Sequence, residues 1–379
     1  MSDRQLATIQ KIKSIENIPG KDKIGFATFH STGWKVIVSK SEFKVDDLVV
    51  YCEYDSILPI HPVFEFLRPR CFSQKWNGFR ISAMKMAGVV SEGICFPLSI
   101  MVEFSPPFKK FEEGMDVTTS MGIVKYDPEN EPENEEVIRK DNFVWNWLMR
   151  NKFLRNYFYP KSIKGWPSYF PAKTDSTRAQ VLPRIFEEYQ GLPVYVTVKK
   201  DGQSGSFGFN KNRLDVCSRN VYYKNENKSN HWIVAKKFNL KKSLKKYIKN
   251  NKLEFAVVQG EVLGPGIQGN KYGYKELTLA LFNLYTKKKG EEPKYETWDE
   301  LARFCYDFNI PSVPFVERRE FNWKSIEELV EYARGNDPDY PTPREGVVIR
   351  ALDTSVKSIS KMWSGFWDFK VINPDFLVK

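Results

Sequence analysis

Cysteine and histidine are scarce in this chain of 379 residues, which has only five and three of them. Cys52, Cys71, Cys95, Cys217 and Cys305 are scattered, odd in number and without C-x-x-C spacing. That excludes a disulfide framework and a thiolate zinc site, and predicts free thiols in a reducing compartment. His30, His61 and His231 show no metal-ligand spacing either. No apolar run approaches the roughly 18 residues that a membrane span needs, and the polar start has no apolar export region. The chain therefore reads as a soluble intracellular protein that makes no membrane contact. No internal repeat is evident.

What the chain does have is aromatic bulk and positive charge. Aromatic residues are 15% and hydrophobic residues 41% of the chain, ample for packed cores. Its length is comfortable for two domains. The net charge of +11 favours a polyanionic partner such as nucleic acid, although a basic surface can also serve solubility alone. The excess is uneven. Lys236, Lys237, Lys241, Lys242, Lys245, Lys246, Lys249 and Lys252 cluster between Phe238, Leu240, Leu244, Tyr247 and Ile248. This pattern suits an amphipathic helix with a basic face, either merely solvated or able to track a phosphate backbone.

The character of the sequence changes along its length. Up to about residue 100, short apolar runs such as Trp34-Lys35-Val36-Ile37-Val38 alternate with Gly, Pro and Asp turns, which predicts a small β-barrel or sandwich. The stretch from Tyr126 to Lys140 is acidic and polar and reads as an exposed loop. An aromatic-rich segment containing Trp145, Trp147, Trp166, Tyr169 and Phe170 follows, and reads as packing between domains. Beyond residue 171 the pattern is mixed. A short helix is expected at Ile185–Tyr189. Strands are expected near 205–218, 255–262, 277–285, 346–350 and 367–372, and helices over 297–308 and 324–334.

One element concentrates chemistry. Val194-Tyr195-Val196-Thr197-Val198 reads as a buried strand that delivers Lys199-Lys200 to an Asp201-Gly202 turn. The pair is either solvated or a site lysine able to act as a nucleophile once its pKa is lowered. Three other strands carry charge into apolar surroundings. They are Val257-Val258-Gln259-Gly260-Glu261-Val262, Glu345-Gly346-Val347-Val348-Ile349 and Phe366-Trp367-Asp368-Phe369-Lys370-Val371-Ile372. Each alone reads as a structural ion pair. Together they supply a nucleophile, carboxylates for a metal and cations for phosphate, the inventory of phosphoryl or nucleotidyl transfer.

These residues carry a resemblance. Lys199-Lys200-Asp201-Gly202 resembles motif I, KxDG, of the covalent nucleotidyltransferases (RNA and DNA ligases and capping enzymes). Ser218-Arg219-Asn220 resembles motif Ia, Gln259-Gly260-Glu261 motif III, and Phe282-Asn283 motif IIIa. Glu345-Gly346-Val347-Val348 resembles motif IV and Phe369-Lys370-Val371-Ile372 motif V, all in family order. Lys173-Thr174-Asp175-Ser176-Thr177-Arg178 and Gly264-Pro265-Gly266-Ile267-Gln268-Gly269-Asn270 narrow the likeness to the RNA ligase 5 family, which carries its OB domain first. The resemblance implies an α+β protein with an N-terminal OB-fold β-barrel (1–125), an acidic and aromatic linker (126–170) and a nucleotidyltransferase domain of antiparallel sheets flanked by helices (171–379). Three departures stand out. Asp368 occupies a position that is often basic in motif V, leaving Lys361 or Lys357 to supply a second cation. Ser176 replaces an expected acidic residue. The acidic stretch near 127–136 reads as an insertion.

The resemblance also implies a mechanism and a set of roles. Lys199 attacks the α-phosphorus of ATP, AMP passes to the 5′-phosphate of an RNA, and the RNA 3′-OH seals the strand. Lys370 contacts the α-phosphate, and Arg178 the AMP phosphate or the incoming 5′-phosphate. Thr197, Val198, Arg219, Asn220, Glu261 and Phe282 line the nucleotide site, with Phe282 stacking on adenine. Asp201, Glu261 and Glu345 hold Mg²⁺ or Mn²⁺ through waters. Lys370 or that metal is expected to lower the Lys199 pKa. The implied substrate is a nicked duplex with RNA on the 3′-OH side, joined by a monomer. A capping guanylyltransferase, a DNA ligase and a catalytically silent RNA-binding protein are the rival readings.

Overall fold

The computed structural model describes residues 5–86, 89–105, 110–126, 165–171, 173, 176–182, 184–223, 229–356 and 367–377. Most of the acidic and aromatic linker, and both Lys357 and Lys361, lie outside the described residues.

The N-terminal part is a strand-built barrel. β1 (Ala7–Ile18), β2 (Lys21–Phe29), β3 (Lys35–Ser39), β4 (Leu48–Glu53) and β5 (Gly93–Pro97) form one antiparallel sheet in the order β5-β4-β1-β2-β3. The two edges meet: the Glu92 N–H donates to the Lys35 carbonyl at 2.9 Å, and the Ile37 N–H to Ser91 Oγ at 3.1 Å. Closure of this kind removes exposed strand edges. Alternation sends Ile12, Ala27, Val36, Val38 and Tyr51 inward around Trp34. A smaller sheet, containing Ser56–Pro59 and Gly78–Ile81, covers a second apolar cluster.

The rest of the chain forms two larger sheets. The first contains β6 (Thr177–Arg178), β7 (Pro193–Lys199), β12 (Phe315–Glu320), β13 (Gly346–Ala351) and β14 (Asp368–Ile372), in the order β6-β14-β13-β7-β12. The second contains β8 (Gln203–Asn210), β9 (Arg213–Ser218), β10 (Leu253–Leu263) and β11 (Thr278–Lys288), in the order β9-β8-β10-β11, with a two-residue strand at each edge. β7 is rich in β-branched residues and buried along most of its length, as the sequence predicts.

Among the described residues, four helices of eight residues or more pack around these sheets, α1 (Asn230–Lys237), α2 (Leu240–Asn251), α3 (Trp298–Phe308) and α4 (Ile326–Ala333), and the short helix expected near 185 spans Ile185–Glu188. Thr297 and Ser325 cap α3 and α4 by accepting from the Glu300 and Glu328 N–H groups, and acidic residues fill both first turns. The basic segment is two helices rather than one. Asn239 takes a left-handed conformation (φ 50°, ψ 36°) and breaks it. The aromatic residues Tyr169 and Phe170 pack with Phe255, Val257 and Cys217 on the second sheet, so they cover one sheet rather than a junction between domains. All five cysteines are free.

Candidate active site

Strand register sets the site. In the first sheet Lys199 pairs with Gly346, Thr197 with Val348 and Tyr195 with Arg350, while Val348 pairs with Lys370 and Arg350 with Asp368. Side chains at directly paired positions share a face. Lys199, Thr197, Lys370, Arg350 and Asp368 therefore converge on one surface, and Val194 and Val196 point into the core behind it. Gly346 allows this tight pairing. Its φ is +153°, and a Cβ there would lie 2.1 Å from the Val371 carbonyl oxygen. In the second sheet Gln259 pairs with Ser206 and Glu261 with Ser204, placing Glu261 across from the lysine.

A cavity opens between these surfaces. Of the residues the sequence singles out, it is lined by Thr197, Val198, Lys199, Arg219, Glu261, Phe282 and Lys370. Four others lie elsewhere. Glu345 is not among the lining residues but pairs with the Lys199 ammonium, and Asp201 follows two residues after that lysine. Asn220 accepts from the Lys173 ammonium at 3.1 Å. Arg178 is turned toward the barrel, where its guanidinium meets Asp55 at 3.3 Å and lies 3.8 Å from the Tyr54 ring centroid.

The lysine is held by carboxylates. Its ammonium donates to Glu345 Oε2 at 2.8 Å and lies 2.7 Å from Oε1, with side chains 22% and 13% exposed. Burial works to lower the Lys199 pKa, but Glu345, Glu261 and Asp201 outweigh it and the net shift is upward. Carboxylates rather than Lys370 therefore dominate the environment of the amine, and the lowering expected of Lys370 is not found. Crowding shows on the other side as well. Burial first, then repulsion by Glu345, raises the Asp201 carboxyl to about 7.

This crowding bears on a metal. Glu345, Glu261 and Asp201 all stand close to Lys199, and a carboxyl that resists ionisation in such company marks a place that favours an added cation. The donors are all hard oxygens, which suit Mg²⁺ or Mn²⁺. Among the described residues no three carboxylate, histidine or cysteine groups stand close enough to make a direct cage, so the fit is to a hydrated ion.

Two residues that sequence reading passed over complete the site. Lys200 is 2% exposed and donates to both Asp337 oxygens at 2.8 Å and to Asp339 at 3.1 Å, so the pair is not solvated. Arg350 lines the cavity, donates to Thr197 Oγ1 at 2.9 Å, approaches Asp368 at 3.8 Å and lies 5.7 Å from the Phe282 ring centroid. The two departures from the family pattern also meet, because Ser176 Oγ donates to Asp368 Oδ2 at 2.7 Å. An arginine inside the apolar run Gly346–Ala351 was the available signal.

A barrel of the OB type, joined to paired sheets that clasp a lysine between carboxylates and a second lysine, defines a nucleotidyltransferase with an N-terminal OB fold. Residues 6–98 match an OB-fold domain model and residues 192–363 the RNA ligase family model. Naegleria gruberi RNA ligase is similar over the whole length. A point variant of it with ATP and Mn is 25% identical at a TM-score of 0.75, covering 98% of each chain. The same values of identity and TM-score hold for a variant with AMP and Mn and for the enzyme with PPi, each covering 99% of this chain and 98% of that one. No curated protein sequence matches the chain.

Proposed function

We propose that this protein is an ATP-dependent RNA ligase that joins RNA 3′-OH and 5′-phosphate ends through a lysyl-AMP intermediate. The observation that carries the reading is Lys199, clasped by Glu345 and facing Glu261 and Lys370 across one cavity. We read residues 1–125 as the OB unit, 126–170 as the linker and 171–379 as the adenylyltransferase unit.

The residues divide the work. Phe282 and Val348 offer apolar surface on which adenine can stack, with Thr197 and Val198 beside it. Arg219, Asn220 and Glu261 are the ribose candidates. Lys370 holds the α-phosphate. At pH 7 an ordinary lysine is unprotonated in only about one molecule in a few thousand, and the carboxylates push Lys199 further that way. Asp201, Glu261 and Glu345 would hold a divalent cation, which supplies charge neutralisation at the phosphates. Once Glu345 is engaged elsewhere, Lys199 loses its strongest reason to stay protonated and gives a proton to solvent; the amine lone pair then bonds to the α-phosphorus as the bond to the departing pyrophosphate oxygen breaks. Arg178 reaches a phosphate only after releasing Asp55.

The substrate is read as a nicked duplex with RNA on the 3′-OH side, bound by a monomer. Incubation with α-labelled ATP and Mg²⁺ or Mn²⁺ tests the chemistry. A labelled protein band is expected, absent with Lys199→Ala and with GTP. A band with GTP alone would indicate capping chemistry. No band from protein shown by mass spectrometry to carry no AMP would leave an RNA-binding protein.

A further inference from the structure

On the reading of the protein as an ATP-dependent RNA ligase, we infer that Arg350 and Asp368 read the edge of the nucleotide's base and make the enzyme select adenine over guanine, with Thr197 and Ser176 positioning them.

Strand register divides one wall of the cavity into rows. Lys199 and Gly346 form the row at the phosphate end. Thr197, Val348 and Lys370 form the next, and Arg350 and Asp368 pair in the third, beside Tyr195. Successive rows are two residues apart, so the third lies roughly 13 Å along the strands from the first. Ser176, Arg350, Asp368 and Phe282 all line the cavity. A nucleotide with its α-phosphorus at Lys199 rests its base against Phe282 and Val348. The base hangs from the ribose through N9. Its opposite edge, which carries N1 and the 6-substituent, therefore faces away from the phosphates and toward the third row.

Two charges stand there, largely out of water. Arg350 is 3% exposed and the Asp368 side chain 7%. They do not satisfy each other, because Arg350 Nε stands 3.8 Å from Asp368 Oδ2, beyond hydrogen-bond length. Among the described residues, the guanidinium has one acceptor, Thr197 Oγ1 at 2.9 Å, and its carbon lies 5.7 Å from the centroid of the Phe282 ring on the opposite wall. Most of its five N–H groups are thus left to a ligand. Asp368 Oδ2 accepts from Ser176 Oγ at 2.7 Å, and a carboxylate can accept several bonds more. A structural ion pair at this depth would close to bonding distance, since the desolvation of both charges is otherwise uncompensated. A ligand that bonds to both compensates it.

The pattern is that of adenine. Adenine presents an acceptor at N1 and a donor at its 6-amino group, whereas guanine presents a donor at N1 and an acceptor at O6. Arg350 only donates and an ionised Asp368 only accepts. With N1 on Arg350 and the 6-amino group on Asp368, adenine satisfies both. Guanine in that pose sets donor against donor and acceptor against acceptor.

The test compares ligands within one protein, so that any loss of folded material cancels from the ratio. Purine riboside triphosphate lacks the 6-amino group, and inosine triphosphate carries a 6-oxo group and a hydrogen on N1. The unaltered full chain should be labelled from ATP with a kcat/KM on the order of thirty-fold above that for purine riboside triphosphate. It should disfavour inosine triphosphate further, because a site built to bond an amino group is left unpaired by its replacement. Asp368→Ala should use ATP and purine riboside triphosphate equally. Asp368→Asn, whose amide can donate, should shift the ratio toward inosine triphosphate. Arg350→Met should erase the preference for ATP over 1-deaza-ATP, which lacks the N1 acceptor. Calorimetry with the corresponding monophosphates reads the same ratios without chemistry. Ratios that these substitutions leave unchanged overturn the proposal, as does an unaltered protein that prefers the 6-oxo base or binds none of the nucleotides. A protein that takes no label from ATP, yet loses its preference for AMP over purine riboside monophosphate on Asp368→Ala, keeps its base-reading residues and fails as a ligase.

Discussion

Lys199 and Lys200 are neighbours in sequence, both are drawn out of water, and they sit in opposite kinds of electrostatic region. On the far side of the strand, Lys200 is 2% exposed against an Asp337 side chain of 0% exposure, with Asp339 and the Tyr272 and Tyr340 rings around it. That region is closed, and its charge is nearly matched. On the cavity side Lys199 is 22% exposed and faces Glu345, Glu261 and Asp201 together. That region is open, and three carboxylates crowd one another there. A matched buried pair is fixed, because separating it strands a charge. An unmatched cluster can exchange partners when another cation arrives. One strand end thus supplies both an anchor and a reactive group.

Substituting each lysine by Met should separate the two roles completely. Lys199→Met is expected to abolish labelling by ATP and to lower the melting temperature, because Glu345, 13% exposed, loses its partner. Residual labelling of that variant would place the nucleophile elsewhere.

The next largest effect is on stability. Lys200→Met leaves Asp337 buried and unpaired, at an expected cost of about 3–5 kcal/mol. Pairing it with Asp337→Leu should recover most of that loss, since two apolar groups need no compensation. Denaturant unfolding of the single and double variants reads the difference. A Lys200→Met protein as stable as its parent would show that the pair contributes nothing to folding.

Why one lysine was legible and the other was not is itself physical. Local patterning exposes what a strand delivers. Val194–Val198 followed by a lysine and an Asp-Gly turn marks the end of β7, and the charges at Glu261, Glu345 and Lys370 mark theirs. The element types of the second half followed from the same alternation. Partners distant in sequence leave no such trace. Nothing near Lys200 announces Asp337, which is 137 positions away, and nothing near Arg178 announces Asp55 in the barrel. The break at Asn239 was hidden because a left-handed residue between two basic helical stretches preserves the hydrophobic spacing on each side. The upward shift at Lys199 required knowing that three carboxylates close on it before any cation does.

The smallest expected effect sharpens the contrast from the crowded side. Asp201 has its carboxyl raised to about 7 by burial and by Glu345, from an ordinary value of 3.8. Below pH 4 it is protonated both folded and unfolded, and contributes no penalty. As pH rises toward 7 the unfolded chain ionises first, so the folded state holds the extra proton and stability falls. Above 7 both states are charged and the full penalty is present. Asp201→Asn removes the charge while keeping the side-chain shape. In chelator, it is expected to stabilise the protein on the order of 1–3 kcal/mol at pH 8 and hardly at all near pH 4. The matched pair predicts the reverse, because Asp337→Asn should destabilise at pH 8, where the buried ammonium of Lys200 loses its counter-charge. Thermal melts of both variants across that pH range decide the matter. A stabilisation by Asp201→Asn that is equal at both ends of the range would mean that the cavity side is not electrostatically strained.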